Sequence, residues 1–185
     1  MKQVKLDKIA EVFTGARLER FNTNRTQIQP VIRKIYTNNQ IDYEDEKISI
    51  KLNDKFYTQK GDILIQLREP NIIIKANQEG LIVPMNFGVI RIKEGYDSNY
   101  IYHVLKNDVI PKNQKILIEG SILQTIRTNY LKELKIPILD NNEKQKDIGN
   151  LLNLIDKKSE LHEKLTKTND KLKNAILKNC IAKEE

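Results

Sequence analysis

Few residues in this chain could do covalent or metal chemistry. Asp42, Glu44, Asp45 and Glu46, followed by Lys47, form an acidic run of the kind that holds a divalent metal in a nuclease. The same composition describes a solvated acidic turn, which is the simpler reading. The two histidines, His103 and His162, stand far apart in sequence, and Cys180 is the single cysteine. That excludes an internal disulfide and a Cys-based zinc site. Gly-rich phosphate loops and the GxSxG nucleophile turn are both absent. An adenine methyltransferase would need an Asn/Asp-Pro-Pro-aromatic element, and the prolines in EPN and VPMN do not supply one. The residue types therefore point to a binder and not to a catalyst.

Charge gives the binder a direction. The chain carries a formal charge of +7, with a pI near 9.3. Most of the excess lies in residues 1–140, where 22 bases face 17 acids. It is also uneven: Arg17 to Lys34 holds five bases against one acid, Glu19. A basic patch of this sort favours a polyanionic partner. The N-terminus has no apolar signal-peptide core, and no apolar run approaches the ~20 residues needed to span a bilayer. The expectation is a soluble, cytoplasmic protein.

The elements that would position such residues are mostly strands. VKLDKIAEVFTG suits a strand leading into a short helix from Leu6 to Val12, broken by Gly15. ARLERFNTNRTQ reads as a loop, and PVIRKIYT as a strand from Val31 to Tyr36. EKISIKL and KFYT read as further strands or strand ends. KGDILIQL is the clearest strand, entered through a Gly61-Asp62 turn. REPN interrupts the pattern and IIIKA resumes it. GLIVPMNFGVIRIK supplies another pair, with Pro84 at an edge or bulge. SNYIYHVLKND is a short amphipathic helix whose tyrosines, with Tyr96, suit packing better than base stacking. After IPKNQ come a turn at Gly120, a short helical piece from Leu123 to Ile126, and a last strand, LKIPI. There is no βαβ alternation and no internal repeat. The fold class is α+β: a β-rich domain with short helices over 1–140, then one long helix over 141–185.

That helix has a start and a stripe. Asp140-Asn141-Asn142 offers capping oxygens, and Glu143 places an acid in the first turn. Only Gly149 interrupts good helix formers as far as Cys180. A helix over 143–180 would be ~57 Å long. A heptad seam fits Leu151, Ile155, Lys158, His162, Leu165, Asn169, Leu172, Ile176 and Asn179, with Leu152, Leu154 and Leu161 widening its start. A lone helix with this seam leaves its apolar side wet. A second copy of the chain is the simplest cover, and folding back onto its own domain is the alternative.

Four stretches in order resemble the DNA-specificity (S) subunit of Type I restriction–modification systems. VKLDKIAEVFTG resembles the entry to a target recognition domain, and KGDILI its mid-domain strand. NYIYHVLKND through EGSILQTIRTNYLKELKIPI resembles its closing half. NEKQKDIGNLLNLIDKKSELHEKL resembles the start of its spacer helix, with Lys144 where that family often has Glu. A full S subunit of the family has two recognition domains and two antiparallel helices, whereas this chain has one of each and looks like a half-subunit. The resemblance implies a non-catalytic, sequence-specific binder of double-stranded DNA. It also implies a homodimer through the helix, in which Leu151, Ile155, His162, Leu165, Asn169, Leu172 and Ile176 meet and two inverted half-sites are read across a fixed gap. The implied partner is a modification (M) subunit that carries S-adenosylmethionine and methylates adenine, with a restriction subunit joining the complex. No cofactor is expected in this chain. A second reading keeps the helix and drops the DNA: a coiled-coil protein or decoy that occupies the modification subunit.

DNA recognition needs phosphate contacts for position and base-edge contacts for sequence. Arg, Asn and Gln in loops supply both. Three groups are candidates: Arg17, Arg20, Asn22, Asn24 and Arg25; then Arg68, Asn71, Lys75, Asn77 and Gln78; then Ser121, Gln124, Arg127, Thr128 and Asn129.

Overall fold

A computed structural model of the chain describes residues 1–18, 26–49, 52–68, 72–110 and 126–181. Its centre is a four-stranded antiparallel sheet in the order β2-β7-β5-β6, made of Ala10–Thr14, Phe87–Ile92, Ile63–Gln66 and Ile73–Lys75. β1 (Lys2–Lys5) pairs with β8 (Lys135–Ile138) and ties the first residues to the end of the globular part. β3 (Thr26–Ile35) and β4 (Ile41–Ser49) form a long hairpin. Three isolated bridges, Ala16 with Pro84, Val31 with Ile82 and Tyr57 with Ile82, stitch it to the body.

The central sheet is covered on both faces, which explains its apolar runs. Ile63 and Ile65 of β5 enter one core cluster with Leu6, Ile101, Leu131 and Ile136. Leu64, between them, enters a second cluster with Ile32, Ile74, Phe87 and Val89. A strand buried on both sides has no polar alternation to show. Gly15 follows β2 because a Cβ there would lie 2.3 Å from the carbonyl oxygens of Val83 and Pro84. Only glycine lets the two backbones approach so closely.

Three expectations change. The helix expected from Leu6 to Val12 is α1, Leu6–Ile9, and Ala10 already belongs to β2. Ala10 and Val12 are buried with Glu11 exposed between them. That two-residue period, with β7 as a partner, overrides the helical pattern. The acidic run Asp42–Glu46 is not a turn but the middle of β4. It tolerates the strand because Arg33 Nε lies 3.0 Å from Glu44 and Arg33 Nη2 lies 3.0 Å from Glu46. The KFYT stretch gives a 3₁₀ turn over Asp54–Phe56 instead of a strand. The turn at Gly120 and most of the helical piece at Leu123–Ile126 lie outside the described residues.

α2 (Ser98–Val104) is capped by Asp97, whose carboxylate accepts from Tyr100 N at 2.8 Å. It runs on into a π-helical turn over Leu105–Val109. α3 spans Thr128–Glu133. α4 runs from Asn142 to Ile181, about 60 Å at 1.5 Å per residue. Asn141 caps it: its Oδ1 accepts from Glu143 N at 2.8 Å and Lys144 N at 3.2 Å. No described helix is long and apolar enough to cross a membrane.

Candidate nucleic-acid interface

One end of the central sheet gathers three arginines that lie far apart in sequence. β2 ends there, and Ala16 N donates to Val83 O at 2.8 Å. Next to it, Arg17 Nε reaches Met85 Sδ at 3.5 Å. β5 ends there too: Leu67 N donates to Asn86 O at 3.0 Å, and Leu67 O accepts from Ile126 N at 2.9 Å. Arg68 and Arg127 are thus neighbours of a hydrogen-bonded pair 59 residues apart in the chain (126 − 67). All three arginines are exposed. Their guanidinium groups suit phosphate or the guanine edge. Thr128 and Asn129 follow directly, but they form the start of α3 and not a loop, with Arg127 at its extended cap position. Arg20, Asn22, Asn24, Arg25, Asn71, Ser121 and Gln124 lie outside the described residues.

The second sequence cluster is split. Lys75 pairs with Ile63, at the opposite end of β5 from Arg68, so five residues of strand, ~17 Å, separate them. Lys75 and Asn77 line a cleft of about 540 Å³ between the hairpin tip at Asn38 and Asn39, Tyr102 and Lys106 beyond α2's start, and α4. Gln78 is exposed beside it, and its carbonyl is taken by the Thr58 hydroxyl at 2.8 Å. The cleft is a mixed-charge site. Lys75, Lys106 and Lys157 face Asp156, Glu160 and Glu163, so it offers no net attraction to a polyanion. Burial lowers the Lys75 ammonium below the ordinary lysine value, and Lys60 adds to this while Asp97 opposes it. Burial acts the same way on Lys106, but the Tyr102 hydroxyl and Asp156 outweigh it and raise that group. The basic run is partly spent as well: Arg33 is paired, and Lys34 sits 5.0 Å from the Tyr36 ring. Tyr100 and Tyr102 are buried, as packing residues should be.

α4 has two opposite faces. One docks on α2 by polar contacts. Gln145 is buried, donating to Leu139 O at 2.8 Å and accepting from Asp97 N at 3.3 Å. Asn153 Oδ1 lies 2.9 Å from His103 Nε2, and Asp156 3.6 Å from Lys106 Nζ. Gly149 allows the approach, since a Cβ would sit 2.5 Å from Asp97 Oδ1 and 2.7 Å from Tyr100 N. At 3.6 residues per turn the apolar stripe falls on the other side. Leu151, Ile155, Leu165, Leu172 and Ile176 are all exposed there. So are Leu154 and Leu161, at 64% and 56%, which makes the stripe broader than the seam drawn from sequence. His162 and Asn169 are exposed on the same side. Sequence patterning missed the docking face because it contains polar residues; Gly149, alone among good helix formers, was its one signal. Among the described residues no group of His, Cys, Asp or Glu is placed to hold a metal.

Residues 1–171 match the Type I restriction modification DNA specificity domain. The chain belongs to that family. Over 120 residues it is 28% identical to the Type I restriction enzyme MjaIX specificity subunit of Methanocaldococcus jannaschii, covering 65% of this chain and 28% of that one. Its fold is that of solved specificity subunits. One is the S subunit of a Type I system from M. genitalium, with a TM-score of 0.56 and 19% identity over 84% of this chain and 39% of that chain. Another is the HsdS subunit of Thermoanaerobacter tengcongensis, with a TM-score of 0.61 and 16% identity over 89% and 44%. A third comes from work on complex assembly and conformational transition of the type I R-M system, with a TM-score of 0.64 and 17% identity over 88% and 44%. The chain therefore spans less than half the length of these specificity subunits. As a member of the specificity-domain family it joins a recognition fold to a long helix that fits a coiled coil.

Proposed function

We propose that this chain is a non-catalytic, sequence-specific DNA-binding half of a Type I specificity subunit, which homodimerises through α4. The dimer would read a symmetric bipartite site and direct a modification subunit to it. The observation that carries the reading is the apolar stripe: α4 has already docked on its own domain, and Leu151, Leu154, Leu161, Leu165 and Leu172 are still exposed on the far side. A helix that had folded back would have covered them. Arg17, Arg68 and Arg127, gathered at one end of the sheet, supply cations for a phosphate backbone. S-adenosylmethionine and the methyl transfer belong in this reading to the modification subunit. Light scattering on the chain, alone and mixed with its cognate modification subunit, tests it. A dimer that takes up modification subunits is expected. A chain that stays monomeric at micromolar concentration would overturn the dimer, and one that ignores the modification subunit would overturn the partner.

A further inference from the structure

The stripe on α4 specifies more than a partner. We infer that a second copy lies antiparallel on it in one register, with the two-fold axis level with Glu163. The inference rests on the homodimer reading above and adds orientation and alignment to it.

Two seams share the stripe. Leu151, Lys158, Leu165 and Leu172 recur every seven residues, and Leu154, Leu161, Thr168 and Ala175 recur every seven between them. Ile155, His162, Asn169 and Ile176 flank this core on one side. Turned end for end about residue 163, the pattern meets itself. Leu161 faces the partner's Leu165, Leu154 the partner's Leu172, and Leu151 the partner's Ala175. The two polar members, Lys158 and Thr168, face one another. The Thr168 hydroxyl donates to Lys164 O at 2.9 Å, and its oxygen can still accept from an ammonium.

The alternatives match less well. Sliding by one heptad in one direction sets Lys158 against Leu161, and in the other against Ala175. Either slide keeps one Leu–Leu pair where the proposed register has two, and buries an ammonium against hydrocarbon. A parallel pair would stack Lys158 on Lys158 at the centre of the seam. It would also lay the C-terminal half of α4 along its own copy. That half, 162–181, has five bases and two acids, whereas 142–161 has four of each. The antiparallel pair sets the basic half along the neutral one. Geometry then fixes a separation. Gly149, where the helix meets its own domain, is fourteen residues from the axis. The two junctions therefore lie ~42 Å apart along the pair, about the rise of twelve base pairs.

Cysteine pairing tests this in the full chain with Cys180→Ser. Leu154 and Leu172 are 64% and 59% exposed in the single chain, so replacing them does not disturb its fold. A Leu154→Cys chain mixed with a Leu172→Cys chain, the two distinguished by size, should give the mixed disulfide on mild oxidation. Neither chain alone should couple to itself, because two copies of residue 154 would be ~27 Å apart. Coupling of each variant to itself would show a parallel pair and overturn the inference. Preferential coupling of Leu161→Cys to Leu172→Cys would show the axis displaced by half a heptad, and would also overturn it. A scattering dimer without any of these disulfides would place the interface elsewhere. A monomer would mean that the homodimer reading itself had failed.

Discussion

Gly149→Ala should destabilise this protein, although the same change in an exposed helix would stabilise it. Alanine is favoured over glycine in a helix interior by about 1 kcal/mol. At position 149 the new methyl would lie 2.5 Å from Asp97 Oδ1, 2.7 Å from Tyr100 N and 2.9 Å from Asn99 Cβ. Asp97 cannot swing away freely, because its carboxylate caps α2 through Tyr100 N at 2.8 Å. Losing such a cap costs about 1 kcal/mol. α4 must then retreat by roughly 1 Å to reach ordinary contact, and overpacking of this kind costs about 1–3 kcal/mol. The Gln145 and Asn153 hydrogen bonds to Asp97 N and His103 would stretch with it. Set against the helix-propensity gain, the net loss should be about 1–2 kcal/mol. For a chain of this length that lowers Tm by about 2–8 °C. Thermal unfolding by circular dichroism, at one protein concentration, is the assay. Asn174→Ala, at an exposed position of α4 beyond the globular part, is the control and should leave Tm unchanged or slightly raised. If Gly149→Ala raised Tm as the control does, α4 would not rest on α2 and the two-faced helix would be wrong.

Other perturbations reach the remaining parts of the account. Leu165→Asp removes a leucine from both sides of a two-fold interface. At about 1.5–3 kcal/mol per buried leucine, the dimer should weaken by about 10²–10⁴-fold while the globular part stays folded, as read by analytical ultracentrifugation beside circular dichroism. Arg127→Ala should weaken DNA binding and reduce the salt slope of log K by about 0.9, the contribution of one phosphate contact; an unchanged slope would remove Arg127 from the interface. Lys75→Met should alter the pH dependence of stability. The folded Lys75 amine is lowered, so the unfolded chain holds more protons between that lowered value and 10.5. Stability contributed at this site therefore rises with pH through that window, and urea titrations at neutral and alkaline pH should show the rise in the parent and lose it in the variant.

Local chemistry made some of this structure legible. The continuous run Ile63-Leu64-Ile65 announces a strand covered on both faces, and Asn141 announces the start of α4. The α+β class and the long helix follow from such signals. What stayed hidden depends on partners distant in the chain. The acid-rich β4 is a strand because Arg33 and the pairing with β3 make it one, and neither is visible in residues 42–46 alone. Likewise Arg68 and Arg127 became neighbours only through the Leu67–Ile126 hydrogen bond, while Lys75, near Arg68 in sequence, went to the other end of the sheet. The docking face of α4 escaped notice because Gln145, Asn153 and Asp156 carry no apolar period, yet they decide which side of the helix remains for a partner.

The central claim is that two copies of this chain together read DNA. Its most direct test is selection from random duplex DNA by the purified chain, alone and with its modification subunit, followed by sequencing of the retained molecules. The account predicts two inverted copies of one short motif, separated by a fixed gap of unspecified bases. Retained DNA with no enriched motif, or with a single unpaired one, would contradict it.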